Sequence, residues 1–146
     1  MTTYKLADMD KWSAKAKRNT TMVMRSSVQK LATDLMTDVG PGAGQVPIDT
    51  GNLRNSLMAS TASMPSVREG EFGDNSGQIT FAIAGAEIGQ TIWLGWQAVY
   101  ARRLNSGFTG TDALGRSYNQ TGRFFVESKA NRWQEFVDAA AAEFVD

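Results

Sequence analysis

The sequence predicts an α+β fold: a long N-terminal helix and a C-terminal helix packed on a small, mainly antiparallel sheet of three to four strands. Three observations carry this. Residues 7–39 place Met9, Trp12, Ala16, Val23, Leu31 and Leu35 at multiples of three and four, with no Gly or Pro between them. Residues 78–84 and 91–96 alternate in the two-residue period of half-buried strands. Residues 122–145 return to a helical period. The length of 146 residues suits one domain, 1–146.

The first helix, 7–39, has Asp8 as a candidate cap and the Gly40-Pro41-Gly42 stop at its end. Some 30 helical residues span about 45 Å, more than a compact domain of this size needs. Its polar side carries Lys11, Lys15, Lys17, Arg18, Arg25 and Lys30, so it wants a second surface to lie on. Residues 46–104 are expected to hold a short helix and the sheet. Asp49 or Thr50 can accept hydrogen bonds from the free amides of that helix, Gly51 permits close backbone approach, and Leu53 and Leu57 share a face. Arg54 points elsewhere, toward a carboxylate.

Ile79, Phe81 and Ile83 line one side of an expected strand, and Ile92, Leu94 and Trp96 one side of another. Residues 58–63 offer a third, weaker strand, and the Gly-rich polar stretch 64–77 reads as a solvated loop. A short helix or turn follows at 98–104. Residues 105–121, rich in Gly, Ser, Thr and Asn, read as a long loop of the kind that is functional or mobile. In the terminal helix, 122–145, Val126, Ala130, Trp133, Val137, Ala140 and Phe144 form an apolar stripe for the sheet or a partner.

Composition narrows the function. Hydrophobic residues at 42% build a real core, which excludes wholesale disorder. Fifteen basic residues balance fifteen acidic ones, which argues against a protein whose main work is to coat nucleic acid or an anionic membrane. Without cysteine, disulfides, thiol redox work, zinc ribbons and iron–sulfur clusters are excluded for this chain. Without histidine, the commonest general base and metal ligand is missing too. The start, Met1-Thr2-Thr3-Tyr4-Lys5, lacks the apolar run of a signal peptide, and no stretch approaches the ~18 apolar residues of a membrane span. The expectation is a protein used in a reducing cytosol, with no membrane partner.

No catalytic set stands out. There is no Gly-x-Ser-x-Gly elbow, no phosphate loop and no dinucleotide fingerprint after a strand. Glu69, Glu71 and Asp74 share a loop without calcium-loop spacing. The expectation is no enzyme, no cofactor and no metal. Arg102, Arg103, Arg116 and Arg123 flank a loop with Phe108 and Tyr118, a basic and aromatic mix suited to a single-strand groove, so a DNA-binding or DNA-packaging accessory protein is the alternative reading. Charge is uneven: residues 1–30 hold seven basic and two acidic side chains, and residues 127–146 five acidic and two basic. Oppositely charged ends suit head-to-tail association.

Three stretches, in order, resemble the tail-completion or head–tail joining (neck) proteins of long-tailed double-stranded-DNA bacteriophages. Pro47-Ile48-Asp49-Thr50-Gly51-Asn52-Leu53-Arg54-Asn55-Ser56-Leu57 is close to that family's Pro-x-Asp-Thr-Gly-x-Leu-Arg-x-Ser-hydrophobic signature. Tyr100-Ala101 followed by Leu104-Asn105-Ser106-Gly107-Phe108 is similar to a second stretch, and Gly122-Arg123-Phe124-Phe125 to the start of the last helix. The chain departs from the pattern at Asn105, where the family has an acidic residue, at Phe108, where it has Thr, and before Phe124, where a proline is absent.

The resemblance implies a structural virion component, assembled in the host cytoplasm. It would form a neck ring, of six or twelve copies, between the portal or connector and the tail tube, with DNA passing through the lumen without sequence recognition. Within that reading Asp49, Thr50, Gly51, Leu53 and Arg54 form a structural corner holding the first helix to the sheet. Lys11, Lys15, Arg18, Arg25, Arg102, Arg103, Phe108 and Tyr118 are interface candidates. The loops 64–77 and 106–121 reach neighbouring subunits or the adjoining ring.

Overall fold

The computed structural model describes Thr3 and residues 5–144. It is a mixed α+β fold with a long N-terminal helix, helices at the C-terminus and two small antiparallel sheets. Helix α1 (Leu6–Thr37) runs unbroken over 32 residues. Its N-cap is Lys5 without a side-chain hydrogen bond, so Asp8 lies in the first turn and does not cap. Helix α2 (Asn52–Asn55) leads into β1 (Leu57–Ser60). Then follow α3 (Ser76–Ala84), β2 (Trp93–Trp96), α4 (Ala101–Ser106), the strands β3 (Phe108–Thr111) and β4 (Ser117–Gln120), and finally α5 (Phe125–Ala130) and α6 (Trp133–Glu143). Residue 145, where the expected terminal helix ends, lies outside the described residues, as does Asp146.

The expected single sheet of three to four strands is two separate pairs. β1 and β2 pair antiparallel, Leu57 opposite Trp96 and Ser60 opposite Trp93, and β3 pairs antiparallel with β4, Phe108 opposite Gln120. The expected strand over 78–84 is helical. Ile79 and Ile83, four residues apart, face inward together, while Phe81 is 83% exposed, so the alternation carried a helical pair inside it. This helix still does part of a strand's work. The Gln78 side-chain amide accepts from the Ala59 N–H at 3.2 Å and donates to the Ala59 carbonyl at 2.6 Å, so one side chain satisfies the edge of β1 as a paired strand would.

Two apolar clusters make the core. Val28, Ala32 and Leu35 of α1 meet Leu57 and Ala59 of β1 and Ile79 and Ile83 of α3. The second joins Val46, Leu53, Phe72, Ala98, Ala101 and Phe125. Trp96 touches both and stands edge-on to Phe125, with ring centroids 5.0 Å apart.

The expected terminal helix is broken between α5 and α6 at residues 131–132, and it lies on α1 rather than on the sheet. The break shifts the buried side. Phe125, Lys129, Phe136 and Ala140 face inward, while Val126, Ala130 and Trp133 of the expected stripe are exposed. Lys129 is buried against α1, where its ammonium pairs with Asp34 at 3.2 Å and with Asp38. Arg132 joins Asp34 at 3.0 Å, and Glu143 pairs with Lys30 and accepts from Ser26 Oγ. The long loop of 105–121 is mostly the β3–β4 hairpin.

Candidate functional site

The stretch 47–57 turns the chain from the α1 side of the molecule into β1. Gly51 stands just before α2 with φ +85°, a left-handed conformation that costs other residues about 1 kcal/mol. The space around it is open, since an added Cβ would find only Arg54 Nη2, at 4.0 Å. The expected close backbone approach is therefore absent, and the glycine serves the turn. Thr50 Oγ1 accepts from the Asn52 N–H at 3.3 Å. Leu53 is buried in the second cluster, and Asp49 is exposed. Arg54, half-buried, lines a cleft between α1 and α3 together with Asp74. The Asp74 carboxyl is held below the usual range mainly by the Ser76 N–H and hydroxyl, with a smaller contribution from Arg54.

Asparagines do most of the joining here. Asn52 Oδ1 accepts from the Phe72 N–H at 2.7 Å, and its Nδ2 donates to Tyr100 Oη at 2.9 Å and the Gly70 carbonyl at 3.3 Å. Asn55 Nδ2 donates to the Phe72 carbonyl, and Asn75 Nδ2 returns a bond to the Asn55 carbonyl at 2.9 Å. These side chains stitch residues 70–75 to the corner and carry Phe72 into the core. The stretch 64–77 is thus pinned at its end rather than solvated throughout. The signal was present in the sequence as Asn52 and Asn55, three residues apart around Leu53, but their partners lie 17 to 48 residues away.

The second and third motif stretches meet each other directly. Asn105, buried, accepts from the Val126 N–H at 2.9 Å, and its Nδ2 donates to both Glu127 carboxylate oxygens at 3.1 and 3.0 Å. It therefore caps α5 from a distance, in place of a local cap residue. The backbones of 105–107 and 120–122 touch. A Cβ on Gly107 would lie 2.7 Å from the Gln120 carbonyl oxygen, and one on Gly122 would lie 2.7 Å from the Asn105 carbonyl oxygen. The Arg123 and Phe124 N–H groups donate to the Leu104 and Asn105 carbonyls. Phe124 takes φ +52°, the one non-glycine residue with positive φ among those described, and this turns Phe125 into the core.

The interface candidates divide. Lys11, Lys15 and Arg18 are exposed on the first half of α1, and Arg102 is exposed on α4. Arg25 is committed inside the chain, its Nε donating to the Ala86 carbonyl at 2.8 Å. Arg103 stacks on Phe108 at 4.0 Å, and Phe108 lies 6.1 Å from Tyr118. Tyr118 Oη donates to Asp112, whose carboxyl is lowered chiefly by the Arg116 N–H, while the Tyr118 phenol is raised by that same carboxylate. Arg116 pairs with Asp112 as well, and Arg123 donates to the Gly40 and Gly42 carbonyls. Arg103, Phe108, Tyr118, Asp112 and Arg116 therefore hold the hairpin itself, and Arg123 ties the segment before α5 to the Gly40 turn.

Among the described residues, no three Asp or Glu side chains gather as a metal ion would require, and no helix is long and apolar enough to cross a membrane. No known protein family, curated protein or solved structure matches the chain.

Proposed function

We propose that this chain is a structural component of a phage virion, a neck-ring subunit that joins the capsid connector to the tail and lets DNA pass. The observation that carries the reading is the convergence of the three motif stretches. They are separated by tens of residues, yet Asn52 bonds Tyr100, Asn105 caps α5, Gly107 lies against Gly122, and Leu53 and Phe125 share one apolar cluster. A motif set used this way builds a scaffold rather than a reactive centre, which is what the resemblance implies for a structural ring protein. The uncovered first half of α1 gives further support, because a subunit made for assembly carries surface that its own core leaves bare.

A free subunit of this kind is expected to form a closed ring of six or twelve copies and to bind DNA weakly. Native mass spectrometry over a concentration series tests the first point. Monomer at every concentration would refute the unaided ring. The DNA-accessory alternative demands salt-sensitive affinity from several free cations, yet Arg103, Arg116 and Arg123 are engaged within the chain. Duplex and single-strand binding measured at two salt concentrations separates the two readings.

A further inference from the structure

Residues 78–84 carry two structural instructions at once. Ile79, Phe81 and Ile83 alternate with Thr80, Ala82 and Ala84 as a strand's side chains would, and Ile, Thr and Phe are strand-favouring types. The segment nonetheless forms most of α3. Helix suits it poorly. Only Ile79 and Ile83 are buried, whereas Phe81, at 83%, is more exposed than any other large apolar side chain among the described residues. No charged residue lies between 75 and 86, so no ion pair along the helix supports it. Two bonds hold its ends. Asp74 Oδ1 accepts from the Ser76 N–H at 2.9 Å, and Arg25 Nε donates to the Ala86 carbonyl, just past the C-terminus, at 2.8 Å.

The same helix lies against a strand edge that no backbone pairs. β1 bonds β2 on one side, and the Ser56 carbonyl, which accepts from the Gln97 N–H, points to that side. By alternation Leu57 and Ala59 turn their N–H and C=O groups outward. At Ala59 both are taken by the Gln78 side chain, at 3.2 and 2.6 Å. A strand in that place would bond the same two groups through its backbone. Its inward side chains would join Leu57 and Ala59 against Val28, Ala32 and Leu35 of α1, so Phe81 would enter the cluster that Ile79 and Ile83 already occupy. Seven residues lengthen from about 10 Å as helix to about 23 Å as strand. Gly77 and Gly85 flank the segment, and the Arg25 bond has to open to release its end.

We propose that residues 78–84 are a two-state segment: helix α3, or a third strand on the outer edge of β1 once Arg25 releases Ala86. The helix form seals the sheet with one side chain. The strand form buries Phe81 and leaves its own far edge unpaired, so it turns a closed sheet into one able to grow onto a neighbouring chain. This switch belongs to the subunit itself and stands whether or not the chain forms a ring.

Gln78→Ala tests it, because it removes the seal and leaves the backbone of the would-be strand untouched. In the isotope-labelled full chain, the Cα chemical shifts of residues 79–83 should move from helical toward strand values while the Ala59 N–H keeps its protection from exchange. Helical shifts with an Ala59 N–H exchanging about tenfold faster would overturn the proposal, since Gln78 would then be an edge cap and nothing more. Random-coil shifts over 79–83 would overturn it too, as simple local unfolding. Wild type supplies a measurement that depends on no variant. Saturation-transfer NMR at the same carbons should reveal a minor state of roughly 1% with strand shifts, and its absence would refute the switch. Arg25→Ala should raise that population about tenfold by opening the bond to Ala86. Phe81→Ala should abolish the signal, because only the strand form buries that ring. An unchanged population in either variant would overturn the mechanism.

Discussion

The buried Lys129 makes a sharp test of what fastens the C-terminal helices to α1. Its side chain is 3% exposed, whereas those of Asp34 and Asp38 are 24% and 37% exposed. The cost of breaking this cluster should therefore depend on which side is removed. Asp34→Asn with Asp38→Asn leaves an ammonium in the interior without a counter-charge, a change worth about 3–5 kcal/mol. Lys129→Met keeps the apolar stem and orphans only carboxylates that water already reaches, one of which retains Arg132 at 3.0 Å, so it should cost about 1 kcal/mol. At this chain length each kcal/mol moves the melting temperature by about 2–4 °C. The double Asn variant is then expected to lose roughly 10 °C and Lys129→Met roughly 3 °C, followed by circular dichroism at pH 7. Adding Lys129→Met to the double Asn variant should recover most of the loss. If Lys129→Met alone falls as far as the double variant, the asymmetry argument is wrong. The pH dependence has a definite sign. Asp38 is held below the usual carboxylate range by its bond to Lys129 and then by Gln45, so its contribution is complete above the unfolded value of about 4. It is lost as pH falls through the lower folded value, and the gap between wild type and Asp38→Asn should close there.

Three further outcomes follow from the joint between the motif stretches. Gly122→Ala drives a Cβ to 2.7 Å from backbone atoms of residues 105 and 106 and should cost about 3 kcal/mol or more, whereas Gly51→Ala meets open space and should cost only about 1 kcal/mol for its positive φ; urea titrations of the two compare them directly. Asn105→Asp sets a second carboxylate against Glu127 and should destabilise at pH 7 by about 1–3 kcal/mol. That acid's folded pKa would be raised, so the loss should shrink as pH falls, and Glu127→Gln should restore stability at pH 7 by returning a donor to the pair. Asn52→Ala removes bonds to Phe72, Gly70 and Tyr100 and should cost about 1–2 kcal/mol, with amide exchange faster across residues 70–75.

The helices at the two ends were legible because a long run without Gly or Pro leaves a 3.6-residue period little competition. Residues 78–84 were misread for a local reason. Ile79, Phe81 and Ile83 fit a strand's alternation, while Ile79 and Ile83 alone fit a helix, and only the exposure of Phe81 decides between them. That decision is tertiary, since Gln78 reaches β1 only if the segment is helical. The break at 131–132 was hidden because either phase of the terminal helix presents an apolar stripe, and a buried lysine looks like any other until Asp34 and Asp38 are known to face it. Leu53 and Leu57, expected to share a face, are both buried but in different clusters, and the corner's asparagines act through partners too distant in sequence to foresee. Gly107 and Gly122 gave no hint that they touch, because a close approach is a property of two backbones together.

That touch has a topological consequence. Chain enters the β3–β4 hairpin at Gly107 and leaves it at Gly122, where the two strands of backbone are already in van der Waals contact. Apart from the Arg103 guanidinium on the Phe108 ring, everything between them hangs on the body at a single covalent point. The alignment of α4 with α5 is set by the crossing and by Asn105, so the hairpin can lengthen, shorten or change composition while the helices keep their places. It is a port for insertion: a tag or fluorophore placed beyond Thr111 would ride on the molecule without bending it.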